Sequence, residues 1–65
     1  MTDDEIKTLY LGRASEYRVG KRISMKEAIQ LVRLDVSDEL VKMGYDRFKA
    51  SVDVLTIRTM LIKDL

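Results

Sequence analysis

Apolar residues recur along this chain with a helical period. Ile6, Tyr10, Ala14 and Tyr17 are spaced by four, four and three residues, with Leu9 beside them, and so draw one face of an amphipathic helix. A second run, Met25, Ala28, Ile29, Val32, Val36, Leu40 and Met43, keeps to one face throughout. A third, Phe48, Val52, Leu55, Thr59 and Ile62, does the same. A strand is the rival over this last run, because Val52, Val54, Thr56, Ile57 and Thr59 are β-branched. A lone strand has no partner here, and no hairpin turn lies nearby, so a helix is expected.

Boundary residues support three helices. Thr2 or Asp3 can cap the first, and Asp3, Asp4 and Glu5 place negative charge where a helix N-terminus favours it. Gly12 inside it costs about 1 kcal/mol relative to alanine. The helix is expected to end near Arg18, ahead of a turn at Gly20. Ser24-Met25-Lys26-Glu27 reads as a capping box, and Gly44 stands where a C-terminal cap belongs. Asp46 can cap the last helix. The expectation is an all-α, three-helix domain over residues 1–65, with helices at about 3–18, 25–43 and 46–63.

A chain of 65 residues buries too little surface to be stable without good packing or reinforcement. It has no Cys, hence no disulfide, and no His, hence none of the common zinc ligand sets. Self-association remains, and the pattern carries a surplus of apolar positions that invites it. Leu31, Leu34 and Val41 lie off the main stripe of the second helix. In the third, Ala50, Val54, Ile57 and Leu61 form a second stripe beside the first. Helices apolar on several sides are buried on several sides. A homo-oligomer, a dimer foremost, is therefore expected to pack through Leu31, Leu34, Val41, Val54, Ile57 and Leu61.

The residues that carry most catalysis are missing. Without His or Cys, proton transfer or nucleophilic attack would fall to carboxylates, Ser, Lys or Tyr. Asp35, Asp38 and Glu39 form the tightest acidic group, with Asp35 and Glu39 one helical turn apart. Such a pair could hold Mg²⁺. It reads better as a solvated face, with Lys42 placed to pair with Asp38 or Glu39. Neither a G-x-G-x-x-G nor a Walker A loop is present. No enzyme activity, cofactor or metal is expected.

Charge is uneven along the chain although the total is only +1. Between residues 13 and 26, Arg13, Arg18, Lys21, Arg22 and Lys26 stand against Glu16 alone, five minus one or +4. That segment could grip an acidic protein surface or phosphates. The near-neutral total argues against a dedicated nucleic-acid module. No apolar run is long enough to span a membrane, and the acidic N-terminus is unlike a signal peptide, so a cytoplasmic protein is expected. The function expected is that of a small, non-enzymatic regulatory or interaction protein. It would self-associate through its last two helices and bind another macromolecule. The alternative is a small dimeric DNA-binding regulator of ribbon-helix-helix or helix-turn-helix type. Arg18 to Met25 alternates, with Arg18, Arg22 and Ser24 on one side and Val19, Ile23 and Met25 on the other. A helix, the turn Gly44-Tyr45-Asp46 and a second helix follow, an order that resembles the ribbon-helix-helix family. The chain departs from that family in the seventeen residues before the strand, a long first helix and Gly20 within the ribbon.

Overall fold

A reciprocal cap starts the first helix. The Thr2 hydroxyl accepts from the Glu5 N–H at 3.2 Å, and the Glu5 carboxylate accepts from the Thr2 N–H at 2.9 Å. Hydrogen bonding to Thr2, its backbone N–H foremost and then its side chain, holds the Glu5 carboxyl below its ordinary pKa. The computed structural model describes residues 1–65 and is all-helical: α1 Asp3–Lys21, α2 Met25–Leu31, α3 Arg33–Lys42 and α4 Arg47–Lys63.

Helix α1 passes through Gly20 and ends at Lys21, three residues beyond its expected end at Arg18. Its i→i−4 bonds continue, and Arg18 and Lys21 put positive charge in the last turn, where the helix dipole favours it. The reversal falls at Arg22, left-handed with φ 55°, whose N–H donates to the Arg18 carbonyl at 2.8 Å. Glycine permits a turn but does not impose one. Ser24 caps α2, accepting from the Glu27 N–H at 3.2 Å; the return bond of a full capping box is not made.

The largest departure from expectation is the helix anticipated over 25–43, which is two helices broken at Val32. Val32 has φ −89° and ψ 4°, and no side chain caps α3. The N–H groups of Arg33, Leu34 and Asp35 donate to no backbone carbonyl. In an unbroken helix the first of them would donate to the Ile29 carbonyl. That carbonyl instead accepts the Tyr10 hydroxyl from α1. No Gly or Pro lies in Gln30–Asp35, so no local residue accounts for the break. The break coincides with a side chain entering the ladder.

Asp46 caps α4, accepting from the Lys49 N–H at 3.2 Å. Helix α3 ends as expected at Gly44, φ 104°, where the Gly44 and Tyr45 N–H groups return to the Val41 and Leu40 carbonyls at 3.0 Å each. The β-branched residues of α4 do not make it a strand. Thr56 and Thr59 turn their hydroxyls back onto the Val52 and Leu55 carbonyls, each at 3.0 Å.

The core joins Ile6, Tyr10 and Ala14 of α1 to Ala28, Ile29, Val32, Val36 and Leu40 of the broken pair. From α4 it takes Ala50, Val54, Ile57 and Leu61. Val54, Ile57 and Leu61, expected at an interface between copies, are thus inside the protomer. The main stripes of α1 and of residues 25–43 are buried at their centres, while Leu9, Tyr17 and Met25 are half-buried and Met43 is exposed.

Burial pushes the Tyr10 phenol up to about 12, opposed in part by Arg58 and Arg33. Tyr10→Phe leaves the Ile29 carbonyl without its partner and is expected to destabilise by about 1–3 kcal/mol, measured by urea unfolding at neutral pH. A raised phenol pKa means the native chain keeps a proton that the unfolded chain loses between pH 10 and about 12. The tyrosine's contribution is complete below pH 10 and fades as pH rises through that window. The wild type's advantage over Tyr10→Phe should therefore shrink by about 2 kcal/mol from pH 10 to 12. A constant difference would show that the phenol is not buried.

Candidate functional site

The structure divides the five basic residues expected to bind a partner. Arg13 leaves the set: it is half-buried and pairs with Glu39 at 3.0 Å. It also lines a cleft of about 230 Å³ with Glu16, Tyr17, Val32 and Asp35. Arg18, Lys21, Arg22 and Lys26 are exposed around the α1–α2 connection and take part in no ion pair. The Lys21 ammonium lies 5.8 Å from the Tyr17 ring centroid, an attraction that steers it without neutralising it. Arg22 holds its place in a backbone region that side chains avoid.

The acidic group around Asp35 is also divided. Glu39 faces Arg13, and Asp38 accepts from Arg47 at 3.2 Å, so the expected pairing with Lys42 is replaced by ties to α1 and α4. Asp35 is exposed at the cleft edge.

The apolar surplus is real and lies only in part where it is expected. Leu31 and Leu34 are exposed, and Val41 is half-buried. On α4 the two stripes have changed places. Ala50, Val54, Ile57 and Leu61 face the core, while Phe48 at 78%, Val52 at 45% and Leu55 at 41% stand in solvent. Thr59 and half-buried Ile62 extend this outer face. Its neighbours around the helix are Lys49, Lys63 and Arg58, with no carboxylate among them. One signal in the sequence separates the stripes: the outer one contains a polar residue, Thr59, and the inner one contains none.

A third surface escaped the sequence reading. The solvent side of α1 presents Thr8, Gly12, Ser15 and Val19, all exposed. The Thr8 hydroxyl is turned back onto the Asp4 carbonyl at 3.0 Å, so its methyl shares in the outer surface. Nothing lies within 4 Å of where a Gly12 Cβ would be. Glu5, Asp4 and Glu16 border this low face and are also exposed. At its N-terminal end is an open hollow of about 480 Å³ lined by Met1, Asp4, Glu5, Thr8 and Leu9.

Two further expectations meet the geometry here. The alternating stretch Arg18–Met25 forms no strand, since Arg18 to Lys21 are helical, so the ribbon of a ribbon-helix-helix protein is missing. No helix is long and apolar enough to cross a membrane.

Arg22→Gly should raise stability by about 1 kcal/mol, the usual penalty of a left-handed non-glycine residue. Thermal unfolding would show the change. A loss of stability would mean that the Arg22 side chain makes contacts worth more than the strain.

Comparison of the chain with known protein families, with curated proteins and with solved structures finds no match.

Proposed function

We propose that this chain is a small non-enzymatic interaction protein that associates with itself through the outer face of α4 and holds another macromolecule with its basic turn. The exposed Phe48, Val52 and Leu55 carry this reading. Three large apolar side chains on one face of a helix, opposite the core, form the kind of patch that soluble proteins cover with a partner. Phe48 is the natural anchor, since aromatic residues concentrate binding energy. Leu31 and Leu34 add a second apolar point on the far side of the α2–α3 break.

The partner of the basic turn is an anionic surface. Arg18, Lys21, Arg22 and Lys26 have no carboxylate of their own chain to satisfy them. An acidic protein is the first reading, and nucleic acid the second, favoured by the same four free cations.

Light scattering over a concentration series tests the self-association. Wild type should exceed the 7.5 kDa of one chain at high micromolar concentration. Phe48→Glu with Leu55→Glu should return to that mass with an unchanged circular dichroism spectrum. Wild type that stays at one chain mass overturns self-association. For the turn, Arg18→Glu, Lys21→Glu and Arg22→Glu together should leave the oligomer intact and abolish capture of the partner. A salt-sensitive shift with random duplex DNA, lost in that triple variant, would select the second reading.

A further inference from the structure

We infer that the surface covering the outer face of α4 is the outer face of α1 on a second copy of this chain, with the two helices antiparallel. This rests on the self-association proposed above and names both halves of the contact.

The first ground is register. The outer face of α4 places Phe48, Val52, Leu55 and Thr59 at steps of four, three and four. The outer face of α1 places Thr8, Gly12, Ser15 and Val19 at the same steps. Because the steps read identically in both directions, antiparallel helices bring Phe48 to Val19, Val52 to Ser15, Leu55 to Gly12 and Thr59 to Thr8 of the second copy. Apolar Phe48 meets the one large apolar residue of the α1 face. Val52 and Leu55 meet its two smallest positions, and Leu55 the one without a side chain. Nothing within 4 Å obstructs it there. Small residues let helices approach closely. The two hydroxyls on the α1 face do not oppose this contact. Thr8 already donates to the Asp4 carbonyl, and a serine within a helix can turn back onto its own backbone in the same way.

Charge is the second ground. Lys49 and Lys63 flank the α4 face along one side, and Glu5 and Glu16 flank the α1 face along one side. Face to face and antiparallel, those two sides coincide. Lys63 then falls beside Glu5 of the second copy, and Lys49 beside its Glu16. All four are exposed, and none is in an ion pair within its own chain. Lys49 rests over the Tyr45 ring at 5.7 Å, and Glu5 accepts from the Thr2 N–H, contacts that orient both without neutralising them. On the other side Arg58 then comes toward Lys7 of the second copy, one repulsion against two attractions; a parallel arrangement would gain only Glu16 beside Arg58, would turn Lys49 toward Lys7 and would align the two helix dipoles unfavourably. Packing α4 on α4 would set a wholly basic rim against itself.

Analytical ultracentrifugation of the full chain separates the possibilities. Phe48→Glu on the α4 side and Gly12→Leu on the α1 side should each weaken association by about a hundredfold, as expected when a central packed contact is lost. Both positions are exposed, and leucine is the better helix former, so circular dichroism should show the fold unchanged. Lys49→Glu and Glu16→Lys should each weaken association by about fivefold, the effect of one exposed ion pair, and their equimolar mixture should recover it. Association that survives Gly12→Leu while Phe48→Glu removes it overturns the pairing with α1 and leaves self-association through α4 standing. Charge variants that fail to rescue each other also overturn it. Wild type that never exceeds one chain mass removes the pairing and the self-association together.

Discussion

One hydroxyl organises this fold. The Tyr10 O–H reaches from α1 to the Ile29 carbonyl and occupies an acceptor that a continuous helix would give to the Arg33 N–H. Three ladder bonds are lost around Val32, and their N–H groups are left without backbone acceptors. What is gained is a bend that lets one chain wrap its core from three directions. Before the bend, Ala28 and Ile29 pack with α1, and after it Val36 and Leu40 face α4 along the longest helix contact of the molecule. A straight helix over 25–43 would run in one direction and could not turn its first half onto α1 and its second half onto α4. A tyrosine serves where phenylalanine would not, because only a donor can hold the released carbonyl in an apolar interior.

Much of this was legible in the sequence, and what was not has definite causes. The stripe of Ile6, Tyr10 and Ala14, the caps at Thr2, Ser24 and Asp46, and the turn at Gly44 were local signals, and local structure followed them. The break at Val32 had no local signal. The contact that accompanies it comes from nineteen positions away, from a side chain whose apolar spacing disguises its polar role. The two stripes of α4 were both visible, but periodicity alone does not say which faces inward. Packing chose the one with Ala50 at its head and no polar member. The basic segment forms one group along the sequence. The fold kept four of its members at the turn and drew Arg13 into the tie with Glu39.

The electrostatics of the molecule are sorted by face. Glu5 and Glu16 border one edge of the solvent side of α1, while basic side chains border the solvent side of α4 and the α1–α2 turn. A net charge of +1 conceals this division. Opposite charges kept apart on one small body orient copies of it at a distance before any contact forms, and salt weakens that guidance. The ion pairs within the chain have a different task. Arg13–Glu39 ties α1 to α3 at the partly wet margin of the core, and Arg47–Asp38 ties α3 to α4 in the open, where such pairs add little to stability.

The break at Val32 also leaves α2 on its own. That helix has seven residues, shorter than any that persists unaided in water. Cut off from the cooperative ladder of α3, it is helical only while the rest of the body grips it. A fluctuation that opens this segment must withdraw Ala28 and Ile29 from the core as well as break the Tyr10 bond, with Ser24, Lys26 and the strained Arg22 at its leading edge. What α2 keeps of its helical form it therefore owes to tertiary grip, through Ala28, Ile29 and one oxygen, and not to its own length.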